Sequence, residues 1–182
     1  MKNIGKIIAF GFAFFAILGS CTEKQDFDQY DDIDLLPVVE GSMIYVEAPE
    51  RVINLVTGVN FFSQDFNFDA FSSNIFSERV IEGTVTYVVE NTTSKELEIT
   101  VQFLDDADNV LDTEVIAVQP APTAIVEREI FYGPGGRSID IIKNTSSIRV
   151  SALNLGDSTS TSSLPDPMVT LKSSGKFTVE LK

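Results

Sequence analysis

The sequence predicts an all-β fold, built as an antiparallel sandwich. Three observations predict it. From about Val38 onward, apolar residues recur at every second position far more often than at helical spacing. Clusters of Asn, Asp, Ser, Gly and Pro interrupt these runs about every 8 to 12 residues. The runs between interruptions are short and number about seven to nine, which suits a sandwich or barrel.

The elements follow in order. Ser42 to Glu47 and Arg51 to Val56 read as the first strands. The segment from Phe61 to Phe76 is rich in phenylalanine; Phe66 and Phe68 have the spacing of one strand face, so the segment is assigned to the core. Ile81, Gly83, Val85, Tyr87 and Val89 share a face, with Thr84, Thr86 and Glu90 between them. Asn91 to Lys95 reads as a turn. Leu97, Ile99, Val101 and Phe103 alternate with polar residues as far as a second turn, Asp105 to Asn109. Val110 to Val118 completes a predicted three-strand meander. Ala124 to Phe131 is the next strand, after the break at Pro120 and Pro122, and Gly133 to Gly136 is a loop. Ser138 is placed to cap a short helical turn, Ile139 to Lys143. Ser147 to Leu153 is a strand with Ile148, Val150 and Ala152 on one face. Met168 to Lys172 and Lys176 to Leu181 read as a closing hairpin across Ser173-Ser174-Gly175, with Phe177, Val179 and Leu181 facing inward.

The stretch VIEGTVTYVVENTTSKELEITVQFLDDADNVL resembles immunoglobulin-like and fibronectin-III-like domains, in which an extended strand ending in E-N-x-T is followed by an alternating strand and an Asp-rich turn. The cysteine pair and core tryptophan of antibody domains are absent: the chain has one cysteine and no tryptophan. The expected fold is an immunoglobulin-like antiparallel β-sandwich, with a jelly roll as the alternative.

The N-terminus carries a different pattern. Lys2 and Lys6 precede the almost unbroken apolar run Ile7 to Gly19, and no acid occurs before residue 21. A bilayer-spanning helix needs about 20 apolar residues, so this run is short for a span and suits a secretory signal peptide. It ends in Leu18-Gly19-Ser20-Cys21, which resembles the lipobox of bacterial lipoproteins. That resemblance implies cleavage before Cys21 and lipidation of its thiol and new amino group. Two or more acyl chains make a stable anchor where one does not. The chain then divides into a signal peptide (1–20), an acidic tether (21–37) and a β-sandwich domain (38–182).

Charge sets limits on partners. Residues 21–182 hold 11 basic and 27 acidic side chains, net −16. Such a surface is a poor match for nucleic acid or anionic lipid, so membrane contact is expected through the lipid on Cys21 alone. Thr22 to Asp34 contains six carboxylates and one lysine without apolar periodicity. Acidic residues directly behind a lipidated cysteine resemble the surface-export signal of Bacteroidetes lipoproteins, although Lys24-Gln25-Asp26 departs from its lysine-acid-acid order. The implied location is the outer membrane at the cell surface, with a periplasm-facing orientation as the alternative.

The chain has no histidine, which removes His-dependent nucleophile systems and His-based zinc sites. No phosphate-loop, dinucleotide or G-x-S-x-G pattern occurs. A carboxylate-pair mechanism is the remaining enzymatic option. Asp105, Asp106, Asp108, Asn109 and Asp112 bring oxygen-bearing side chains into one segment, but the glycine and terminal glutamate of an EF-hand loop are missing, and such residues satisfy turn backbone. No metal or other cofactor is expected. Asp157-Ser158-Thr159 lies in the polar run DSTSTSS and matches the D-S/T-x pattern of O-glycosylated Bacteroidetes proteins, which makes Ser158 a candidate glycosylation site. Asn91 and Asn144 stand in N-x-S/T sequons and are discounted. The sequence reads as a lipid-anchored cell-envelope protein with a non-catalytic binding or structural role. Its partner would be an envelope protein or a polysaccharide; the alternative is a small carboxylate-dependent glycan hydrolase.

Overall fold

Alternation decides the strands, and burial follows it. In β4, Leu97–Leu104, the residues Leu97, Ile99, Val101 and Phe103 are at most 3% exposed, while the residues between them are half-buried. The computed structural model describes residues 35–68, 71, 73–122 and 125–181, with only the backbone at 74 and 75. The strands are β1 (Val38–Pro49), β2 (Asn60–Asn67), β3 (Val80–Asn91), β4, β5 (Val110–Val118), β6 (Val126–Tyr132), β7 (Ser147–Asn154) and β8 (Met168–Val179). The helical turns that join them include α1 (Glu50–Ile53), α2 (Asn74–Arg79) and α3 (Ile139–Asn144).

The strands form two four-stranded antiparallel sheets, ordered β1-β8-β3-β6 and β2-β7-β4-β5. The all-β antiparallel sandwich expected from the sequence is therefore present. Its strand order is that of the jelly roll, the alternative arrangement, in which successive strands pass from sheet to sheet. In an immunoglobulin domain several consecutive strands pair within one sheet; here only β4 and β5 do so. The faces between the sheets enclose one core, in which Val85, Tyr87, Leu97, Val101, Ile116, Tyr132, Ile148 and Val150 are each at most 1% exposed.

Several local expectations are corrected. The meander is one. β3 pairs with β6 and β8, and among the described strands only β4–β5 is a hairpin. The connection Asn91–Lys95 arches between sheets, because Asn91, Thr93 and Lys95 are themselves buried. Asn91 Nδ2 donates to the carbonyls of Lys95 and Gln119, both at 2.8 Å, which fixes the arch. The closing hairpin is another. Met168 to Val179 is one unbroken strand whose inward alternation runs through Ser173 and Gly175. Gly175 sits there because the Phe177 ring lies across it and across Gly83 of β3; a Cβ at either glycine would collide with that ring. Leu181, expected to face inward, is 36% exposed beyond the strand end.

Arg51 to Val56 is not a strand. Pro49 ends β1 and serves as the N-cap of α1, which buries Ile53 and leaves Leu55 78% exposed. Ile81 turns outward because a register shift between Val80 and Glu82 puts Val80 on the core face instead. The strand expected at Ala124 to Phe131 runs from Val126 to Tyr132. The strand at Ser42 to Glu47 extends to Val38–Pro49, and Leu35 already bridges to Leu181.

The Ser138 cap forms as expected, its Oγ accepting from Asp140 N at 3.2 Å. The phenylalanine segment belongs to the core: Phe71 is 2% exposed and meets Phe68, Phe76 and Phe177 at centroid distances of 4.5, 5.1 and 5.2 Å. On the side where edge strands β5 and β6 face each other, Arg137 donates to Asp112 Oδ2 and Glu114 Oε2, each at 2.7 Å, and so ties the two sheets together.

Candidate binding cleft

The sandwich has two ends with different chemistry. At one end β1 begins and the chain continues back toward residue 34. At the other end β1 stops at Pro49, and the connections 50–59, 91–96 and 155–167 meet.

Three buried polar side chains organise that far end. Lys95 is fully buried, and its Nζ donates to Asp157 Oδ1 at 2.8 Å, to the Ser160 carbonyl at 2.7 Å and to Ser160 Oγ at 2.7 Å. Its three donors are thereby satisfied. Glu50 is 3% exposed; its Oε1 accepts from Ser94 N and Ser94 Oγ, and its Oε2 from Ser162 N at 2.9 Å. Asn154 is fully buried and donates to the carbonyls of Ile53, Val56 and Asp157, while Gly156 N donates back to its Oδ1 at 2.9 Å. Together these residues tie α1 and the loop 155–167 to the arch.

The electrostatics follow from these contacts. Burial works to raise the Glu50 pKa, but the hydrogen bonds from Ser94 and Ser162 and the charge of Lys95 outweigh it and leave it below the ordinary carboxylate value. Asp157 is held well below that value, first by Lys95 and then by the Ser160 and Thr159 donors. Asp65 and Asp105 are lowered as well, by Arg149 and by Asn109 respectively. A catalytic acid needs a shift in the other direction.

Above Glu50 lies an open cleft of about 610 Å³, a size in the range of small-molecule sites. Its walls mix charge and apolar surface: Glu47, Arg51 and Asp166 are exposed, with Asn54, Ser162 and Met168 beside them. Glu50 N donates to the Pro167 carbonyl at 2.9 Å, which sets the gap between the two walls. Asp166 holds φ at 47°, a left-handed conformation uncommon for residues with a side chain.

The residues singled out in the sequence fall as follows. Cys21 and the acidic run behind it, Thr22 to Asp34 with Asp26 and Asp28, lie outside the described residues. Ser158 is exposed at the far end, between Asp157 and Thr159, on the loop that Lys95 holds. Asp105 turns onto its own backbone, accepting from Ala107 N at 2.9 Å and Asn109 N at 2.8 Å, as a turn-forming aspartate does. Asp112 points elsewhere, to Tyr132 Oη and Arg137, so the oxygens of Asp105 to Asp112 do not converge. The Asn91 sequon is occupied by the arch, with that side chain 5% exposed. Sequence reasoning missed Lys95, Glu50 and Asn154. Each is a polar residue next to a turn, and only the three-dimensional meeting of distant connections buries it.

No family model and no curated protein matches the chain. Among solved structures it is remotely similar to the infectious bursal disease virus VP2 subviral particle, at 10% identity and a TM-score of 0.35 over 82% of this chain. The chain spans about a third (33%) of the length of that protein. It is similar at the same remove to a Bacillus endospore appendage protein that forms disulfide-linked pili, with 9% identity, a TM-score of 0.37, and coverage of 79% of this chain and 90% of the other. A third such structure is that of desmodium yellow mottle tymovirus, with 5% identity, a TM-score of 0.36, and coverage of 81% and 90%.

Proposed function

We propose that this chain is a lipid-anchored cell-envelope protein whose jelly-roll body binds a partner without catalysis, anchored through Cys21 and displayed at the cell surface. The observation that supports the reading most is the arrangement of the two ends. The body is entered from residue 34 at one end of β1, and the cleft lies at the other. At about 3.3 Å per residue, the 12 residues of β1 separate them by about 35 Å. An anchor on Cys21 would leave the cleft at the end facing away from the chain's point of attachment. Its ligand would be a segment of an envelope protein or polysaccharide, and Ser158, exposed beside the cleft loop, would carry a glycan.

The non-catalytic part of the reading is supported by Glu50, the most buried carboxylate of the cleft, whose two oxygens are both taken by hydrogen bonds. The competing reading, a glycan hydrolase, would have to use Glu47 and Asp166, the exposed carboxylates of the same cleft.

The test begins with Cys21→Ala. The expected result is loss of the protein from the membrane fraction, or accumulation of a precursor with the mass of the uncleaved chain. Unchanged fractionation with an unchanged mature mass would refute the anchor. Protease shaving of intact cells, comparing the parent with Asp26→Ala/Asp28→Ala, then tests surface display; equal cleavage of the two would count against the acidic export signal.

A further inference from the structure

The near end of the body carries a patch that the charge of the chain does not suggest. Residues 35–39 read LLPVV, and Leu35, Leu36, Val38 and Val39 are 56, 52, 54 and 52% exposed. The backbone holds them in place: Leu181 N donates to the Leu35 carbonyl and Val179 N to the Pro37 carbonyl, at 2.9 and 3.0 Å. Leu35 sits opposite Leu181, which is itself 36% exposed, and two strands over Ile81 is exposed to the same degree. Six aliphatic side chains therefore face solvent at one end of an acidic protein. Scattered exposed leucines need no explanation, but a cluster at one edge marks a contact surface.

We infer that this strip is a second membrane contact, lying against the headgroup and acyl boundary of the bilayer that holds the anchor. The inference rests on the reading of Cys21 as that anchor. Thirteen residues separate Cys21 from Leu35. At no more than about 3.5 Å per residue, that length keeps the strip within about 50 Å of the anchored cysteine, so its contact with the bilayer is in effect intramolecular. The segment 35–39 contains no charged side chain, and Asp34 and Glu40 flank it. A zwitterionic surface admits such a strip, whereas an anionic one repels its flanks. A second copy of this chain is a poorer occupant. Strand addition to the β1 edge needs a regular ladder, and the register of β1 shifts between Ser42 and Ile44.

The experiment attaches the lipid by hand, so its outcome does not depend on whether the cell acylates Cys21. The chain from residue 21 carries a single thiol, and one alkyl chain is coupled to it through a maleimide. One chain alone binds bilayers only marginally, so any contact made by the body shows in the partition onto phosphatidylcholine vesicles. The triple change Leu35→Ser/Leu36→Ser/Val39→Ser is expected to lower that partition about tenfold while the unfolding midpoint stays put. Because the chain has no tryptophan, Leu36→Trp serves as a reporter, and Leu155→Trp, on an exposed residue at the far end, as its control. Brominated lipid should quench the first and spare the second. Equal partition of parent and triple variant, or equal quenching at both positions, overturns the inference. Self-association without vesicles that the triple change abolishes overturns it in favour of a second copy.

Discussion

Lys95 and Asp157 meet at 2.8 Å across the far end of the sandwich, with the lysine side chain fully buried and the aspartate side chain 59% exposed. The buried partner is the costly one, and the loop supplies its compensation. Lys95→Met removes the donor that holds the Ser160 carbonyl and hydroxyl as well as Asp157. The expected loss is about 1–3 kcal/mol, read by denaturant unfolding, together with new proteolytic cleavage between residues 155 and 167. A variant as stable and as protease-resistant as the parent would show that Lys95 does not hold the loop.

Stability should fall in acid, and the sign follows from the lowered pKa values. In the unfolded chain Asp157 and Glu50 take up protons near their ordinary values, about 3.9 and 4.3. In the folded protein both resist protonation. The stabilisation is therefore complete above about pH 5, is lost as pH falls through the ordinary carboxylate range, and levels off below the lowered folded values. Unfolding midpoints measured from pH 7 to pH 2.5 should show this slope, and Lys95→Met should flatten it.

Glu50→Gln keeps size and removes charge. One of the two oxygens that accept from Ser94 and Ser162 becomes a donor facing a donor. The expected cost is about 1–3 kcal/mol. A variant as stable as the parent would show that the Ser94 and Ser162 donors do not depend on the Glu50 charge.

Gly83→Ala and Gly175→Ala each place a methyl group in the Phe177 ring. Each should cost about 1–3 kcal/mol by overpacking. Adding Phe177→Leu should recover part of that loss, which a purely conformational role for the glycines would not allow.

Tyr87 is 1% exposed, and its hydroxyl finds no hydrogen-bond partner among the described residues. Tyr87→Phe should therefore be neutral or stabilising, by up to about 1 kcal/mol. A clear loss of stability would reveal a partner for that hydroxyl.

Much of the strand content was legible, and the reasons are local. Alternation in β4 and β7 marks half-buried strands wherever they end up, and the Ser138 cap and the Asp105 turn act within a few residues of themselves. Pairing was not legible, because it is a long-range property. Asn91–Lys95 and Ser173–Gly175 have the composition of turns. In the fold the first is an arch fixed by the Asn91 amide and the second is the flat seat of the Phe177 ring. The cleft was the least legible part. It depends on Glu50 at the start of α1, Lys95 in the arch and Asn154 at the end of β7, which are buried together, and no periodicity records that meeting.

β8 lies between β1 and β3 in its sheet, yet it is the last of the eight strands in chain order. Val38 waits for Thr178, and Gly83 waits for Phe177. Until that strand arrives, the first sheet is two fragments with a slot between them, and loop-closure entropy opposes every shortcut. The first sheet thus closes only when β8 is laid between β1 and β3, like a seam drawn shut by its final stitch. For a protein that passes a membrane before folding, as proposed for this one, the position of β8 keeps the first sheet open until that strand too has crossed.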